Sequence, residues 1–137
     1  MKIAVDFDGT IVEHKYPEIG KTILFAFEAL KELQDRKHKL ILWTYRSGKE
    51  LDEAVQFCKD NGIEFYAVNK SFPEEEFDNS KASRKIDAEL FIDDRNLEGF
   101  PGWTNVLKII HPEDFGIDTE PKTIMDKFRD FIDELKS

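Results

Sequence analysis

Short, continuously apolar runs alternate along the chain with stretches whose apolar residues recur every three or four positions. Ile3-Ala4-Val5 is the first run and stops abruptly at Asp6. Residues 22–37 carry Ile23, Phe27, Leu30 and Leu33 at helical spacing, with Thr22 placed as an N-cap. Leu40-Ile41-Leu42-Trp43 is a second run of strand length. Leu51, Ala54, Val55 and Cys58 mark a second helix, which Asn61-Gly62 ends by supplying a residue that tolerates positive φ. Phe65-Tyr66-Ala67-Val68 reads as a third strand. A polar loop through Asn79 and a short helical stretch around 80–87 follow. Leu90-Phe91-Ile92 and Val106-Leu107-Lys108-Ile109-Ile110 read as two further strands. The last segment, 121–136, opens with Pro121 and repeats Ile124, Phe128, Phe131 and Leu135, an amphipathic helix expected to cover the sheet.

Strands that are apolar throughout, alternating with helices, predict an α/β fold with a parallel sheet covered on both faces. The expectation is one domain over 1–137, with about five parallel strands and the first of them in the middle. Ligands of such sheets bind at the carboxyl ends of the strands, near the switch in strand order.

Composition supports a packed domain. The 137 residues are 40% hydrophobic and include twelve Phe, enough for a core without disulfides. Cys58 is the sole cysteine, so no intrachain disulfide can form, and it fits the buried face of its helix. Twenty basic residues against 29 acidic ones leave a net charge of −9. That balance argues against a nucleic-acid backbone or an anionic membrane as partner. It leaves room for a small phosphorylated ligand, because a metal or a local lysine inverts the field inside one cleft. The opening MKIAVDFDGT has no signal-type apolar stretch, and no run approaches the roughly 18 residues of a membrane span. A soluble, cytoplasmic protein is expected.

Three apolar runs lead directly into polar residues suited to chemistry. The first ends in Asp6-Phe7-Asp8-Gly9-Thr10, the second in Thr44 followed by Tyr45-Arg46-Ser47-Gly48, and the fourth in Asp93-Asp94-Arg95. Neighbouring strand ends would gather four carboxylates and a hydroxyl in one crevice. Such a cluster is self-repulsive unless a cation sits in it or some members are protonated. Hard oxygen donors without His or Cys point to Mg²⁺, which keeps several waters and a substrate phosphate. Asp6 and Asp8, two apart on an extended segment, face the same way, and Gly9 lets the backbone turn and approach a phosphate. One carboxylate can then attack phosphorus while the other handles protons.

The three motifs resemble those of the haloacid dehalogenase superfamily, whose members are mostly Mg²⁺-dependent phosphatases and phosphotransferases. The resemblance covers roughly residues 1–110, in the family's order. It implies a three-layer α/β/α Rossmann-like domain in which Lys2 to Thr10 match hydrophobic strand–D-x-D-x-T. Asp6 would be the nucleophile and Asp8 the general acid/base. Thr44 matches the second motif, which binds the transferred phosphoryl group together with Gly9 and the neighbouring amides. The third motif is a lysine, matched by Lys85, with Lys81 one helical turn earlier as the reserve. Asp93-Asp94 matches the metal-ligating fourth motif, giving a Mg²⁺ set of Asp6, Asp8 through its backbone carbonyl, and Asp93 or Asp94. In one departure, Glu98 stands where the family usually has a further Asp. Only 11–21 separate the first motif from the first helix, room for a flap but no cap domain, and 69–85 is too short for the other kind of cap. The resemblance is thus to capless members, whose open site admits bulky substrates or is lidded by a second subunit. It implies hydrolysis of a phosphomonoester. The rival readings are phosphoryl transfer to an acceptor alcohol, as in a mutase, and a non-catalytic metal- or phosphate-binding module.

Other polar residues carry weaker signals. Arg46 is placed to pair with a substrate anion or to sit on the surface, and Arg95 to bridge to Asp93 or Asp94. His14 reads as a solvated flap residue, with substrate contact as the alternative, His38 and His111 as surface residues flanking strands, and Glu74-Glu75-Glu76 as a solvated loop face. Trp103, after Pro101-Gly102, reads as core, with a place on the pocket rim as the alternative.

Overall fold

Lys2–Val5 forms β1, buried at Ile3, Ala4 and Val5 because strands pair with it on both sides. The computed structural model describes residues 1–76, 86–116 and 124–136. Among these, β1, β2 (Lys39–Leu42), β3 (Ala67–Val68) and β4 (Leu90–Ile92) make a parallel sheet of order β3-β2-β1-β4. Ile3 pairs with Leu40 on one side and Leu90 on the other. The order switches beside β1, the central strand that the hydrophobic pattern predicts.

Two helices connect the first three strands. α1 is Ala26–Asp35 and α2 is Gly48–Asp60. Successive right-handed crossovers in one direction place both on the same face. The ring of Phe57 in α2 lies 5.8 Å from that of Phe27 in α1 and 6.3 Å from Phe7. α2 ends at Asn61-Gly62 as predicted. Its Cys58 is fully buried, and burial pushes the thiol up to about 12. α1 starts later than predicted. Thr22 does not cap it but bridges to Val12, and Phe25 takes the N-cap position. Residues 21–23 are recruited by backbone pairing with 11–13, which ties the ends of the flap together.

The fifth predicted strand is a helix. Val106–Ile110 belongs to α3 (Trp103–Ile110), in which Trp103 and Val106, three apart, are the buried pair. Gly102 at φ 93° turns the chain into it, and the Asn105 side chain donates to the Pro101 carbonyl at 2.8 Å. Helical burial of Trp103 overrides the β preference of the Val/Ile-rich run. The sheet of the described residues therefore has four strands.

The chain divides into two compact units, Met1–Val106 and Leu107–Ser137. The first holds the sheet, α1 and α2. The second includes a 3₁₀ turn, Pro112–Phe115, and α4 (Ile124–Lys136), an amphipathic helix with Phe128, Phe131 and Leu135 exposed. The helix predicted around 80–87 falls largely outside the described residues.

Candidate functional site

The strand ends converge. Beyond β1, the Asp6 amide donates to Ile92 O at 3.0 Å and the Trp43 amide to Val5 O at 2.8 Å, so neighbouring chains stay zipped into the loops. Asp6, Asp8, Thr44, Asp93 and Asp94 thereby line one cleft of about 310 Å³, together with His14, Tyr16, Trp43, Tyr45 and Arg95.

The loop after β1 is tightly tied. Ile11 N–H donates to Phe7 O at 2.9 Å, and the Trp103 indole N–H reaches Thr10 O at 2.8 Å from inside the core. Gly9 adopts φ 85°, and a Cβ there would collide with Asp94 Oδ2 and His14 Nε2. Its own N–H donates to Val12 O at 2.7 Å, so its contribution to the cleft is the missing side chain.

Each carboxylate has a distinct environment. Asp6 accepts the Phe7 N–H at 2.9 Å on Oδ1. Burial nevertheless pushes its carboxyl up to about 7; the Phe7 hydrogen bond opposes this, and the nearby Asp94 and Asp8 reinforce it. Asp94 Oδ2 lies 2.6 Å from His14 Nε2, whereas Asp94 Oδ1 is buried with no hydrogen-bond partner among the described residues. Asp93 Oδ1 accepts the Arg95 backbone N–H at 3.1 Å. The Arg95 guanidinium lies 5.2 Å from the centre of the Tyr45 ring.

Asp8 is held by Arg46. Nε donates to Oδ2 and Nη2 to Oδ1, each at 2.8 Å. The remaining donors reach the flap, with Nη1 to Pro17 O at 3.0 Å and Nη2 to Glu18 O at 2.6 Å. Arg46 is 2% exposed and packs 5.0 Å from the Phe7 ring centre and 5.2 Å from that of Tyr16. The Asp8 hydrogen bonds drive the Arg46 pKa further upward. Arg46 is thus neither on the surface nor open to a substrate anion. Its backbone N–H donates to Thr44 Oγ1 at 3.1 Å, and the Thr44 N–H donates to Asn69 Oδ1 at 2.8 Å.

A cation would find Asp6 and Asp94 prepared for it. An orphaned buried oxygen on Asp94 and a carboxyl on Asp6 that burial makes harder to ionise are both relieved by positive charge. The carboxylates of Asp8 and Asp93 have other partners, and no ready-made group of three His, Cys, Asp or Glu ligands stands among the described residues. Lys85 and Lys81 lie outside the described residues. Glu98 is exposed and does not line the cleft. Trp103 is core, as predicted; His38 Nδ1 meets the Met1 amino group at 3.1 Å and His111 Nδ1 meets Glu113 at 3.0 Å.

Two site residues elude sequence reasoning. His14 reaches Asp94 across eighty positions, and nothing local in the sequence announces that contact. For Arg46 the signal was its place two residues beyond Thr44; its burial depends on the flap.

No helix of the described residues is long and apolar enough to cross a membrane. No family model and no curated protein matches the chain. Among solved structures, a conserved protein from Bacteroides thetaiotaomicron is 52% identical, with a TM-score of 0.77, over 93% of this chain and 97% of that one. At that identity and coverage, the chain belongs to the same family as the conserved Bacteroides protein.

Proposed function

We propose that the cleft is the active site of a Mg²⁺-dependent phosphomonoester hydrolase of the haloacid dehalogenase type, a soluble enzyme with a Rossmann-like core. The observation that carries this reading is the convergence of Asp6, Thr44 and Asp94 from the ends of three adjacent strands, β1, β2 and β4. The orphaned Asp94 oxygen and the raised Asp6 carboxyl support a cation between them. Asp6, Asp94 and the Asp8 backbone carbonyl would hold Mg²⁺, with Asp93 beside them. Bound Mg²⁺ supplies the positive charge that offsets these carboxylates and the phosphoryl oxygens.

In the proposed reaction, an ionised Asp6 oxygen attacks phosphorus in line, forming an O–P bond as the ester O–P bond breaks. Asp8 gives a proton to the departing alcohol oxygen. In the second step Asp8 takes a proton from the water that attacks the aspartyl phosphate, which frees inorganic phosphate and restores Asp6. One Asp8 oxygen must leave the Arg46 fork to carry that proton. Thr44 Oγ1, the Asp8 amide and the Lys85 ammonium, with Lys81 in reserve, are assigned to the phosphoryl oxygens; the Phe7 and Gly9 amides are already donated to Asp6 and Val12.

The test is turnover of an aryl phosphate with Mg²⁺. Asp6→Asn is expected to lower kcat by at least about 10³-fold, as loss of a nucleophile does. Equal rates for wild type and variant would remove the proposal. An added acceptor alcohol separates hydrolysis from transfer: phosphorylated acceptor among the products identifies a transferase.

A further inference from the structure

The floor of the cleft is carboxylate and hydroxyl, but its mouth is aromatic. Tyr16, Trp43 and Tyr45 all line it, and they remain 62%, 37% and 89% exposed. Trp43, Thr44 and Tyr45 line the same cleft, so a ring bound against the two aromatic side chains would share it with a group seated at Thr44. Two of the three rings are backed by guanidinium groups. Arg46 lies 5.2 Å from the Tyr16 ring centre and Arg95 lies 5.2 Å from that of Tyr45. Such stacking favours one orientation of the ring before any ligand arrives, which lowers the ordering cost of binding.

Large aromatic side chains gain most by burial, so three left in water around one opening call for a ligand surface to cover them. We propose that this rim binds a planar aromatic ring carried by the leaving group, making the substrate a nucleoside or aryl phosphomonoester. The proposal rests on the phosphatase reading of the floor. Base–aromatic stacking is tolerant of sequence and strong enough to select a class of ligand. A cleft of about 310 Å³ is at the small end of small-molecule sites, which suits a monomeric ligand. A net charge of −9 disfavours a long nucleic-acid strand.

The test is calorimetric titration of full-length Asp6→Asn, with Mg²⁺, by a nucleoside 5′-monophosphate, phenyl phosphate, a hexose phosphate and glycerol phosphate. The ring-bearing pair is expected to bind about tenfold more tightly than the other two. Adding Tyr45→Ala is expected to remove that advantage while leaving glycerol phosphate unchanged; Tyr45 is too exposed for its loss to unfold the chain. A nucleoside arm tighter than the phenyl arm identifies a nucleobase, and equal arms identify any aryl group. Trp43 gives a second readout, because the other tryptophan, Trp103, is 1% exposed, so ring stacking should quench the accessible fluorescence. Equal affinities for all four ligands, no binding by any, a hexose preference, or a Tyr45→Ala loss shared by all four each overturn the proposal. Ring-selective binding without wild-type turnover keeps the rim and removes the hydrolase. Turnover without ring selectivity does the reverse.

Discussion

Arg46 grips Asp8 through two hydrogen bonds of 2.8 Å, and the same guanidinium holds the flap carbonyls of Pro17 and Glu18. The Arg46 side chain is 1% exposed and that of Asp8 is 17% exposed. One buried cation thus joins the loop after β1, the loop after β2 and the flap. A planar fork makes that three-way joint feasible, and a lysine cannot reproduce it.

Removing the fork should therefore both destabilise the chain and free the flap. Arg46→Met is expected to cost roughly 2–3 kcal/mol, because it leaves Asp8 and two carbonyls without their donors. Arg46→Lys keeps the charge and should recover less than half of the loss. Urea melts give the stability, and hydrogen exchange at the Glu13 amide, which bonds Lys21 O at 2.8 Å, reports the flap. A methionine variant with wild-type melting and exchange would show that the fork holds nothing.

The raised Asp6 carboxyl gives stability a pH signature. Between its ordinary value of 3.8 and about 7, the folded chain keeps a proton that the unfolded chain has released. The contribution is fully present below the lower value and is lost as pH rises through the upper one, with a slope of at most about 1.4 kcal/mol per pH unit. In metal-free buffer, Asp6→Asn should melt with a flatter pH profile and exceed wild type in stability above about pH 7. Parallel profiles for the two proteins from pH ~4 to pH ~8 would refute this.

Mg²⁺ binding should be coupled to the same proton. A cation held by Asp6 needs it ionised, so binding releases a proton wherever the metal-free carboxyl is protonated. The apparent affinity is expected to fall about tenfold per pH unit below about 7 and to level off above it. Thermal shifts at millimolar Mg²⁺ report the binding, since a ligand of the native state raises its stability. A pH-independent shift, or none, would speak against Asp6 as a ligand.

Gly9→Ala tests the packing of the floor. The new Cβ must displace Asp94 or His14 and also occupy φ 85°. The expected loss is on the order of 1–3 kcal/mol, together with any Mg²⁺-dependent thermal shift. An alanine variant with wild-type melting and metal response would mean the loop adjusts freely.

The sequence made the strands and their polar ends legible because Ile3-Ala4-Val5, Leu40-Ile41-Leu42-Trp43 and Leu90-Phe91-Ile92 are apolar on both faces and each stops at a polar residue. Strand-end placement then put Asp6, Thr44 and Asp94 near one another. Val106–Ile110 misled because a short Val/Ile-rich run fits either period, and the arbiter was the burial of Trp103. Arg46 misled differently. Its burial depends on carbonyls 28 and 29 residues earlier in the chain, donated by a loop with no periodicity to read.

The position of β1 has a consequence for how the chain acquires its shape. β1 precedes every other strand, yet its second edge is satisfied only by β4, where Ile3 meets Leu90 at nearly the far end of the first unit. During synthesis, β1 and β2 can pair early, while the opposite edge of an apolar strand stays open. Pairing so distant in sequence is slow to form, and it is also what delivers Asp94 to Asp6. A nascent chain ending before Ile92 carries Asp6 and Asp8 without their counterpart, so the floor of the cleft is assembled only when β4, the last strand of the described residues, arrives.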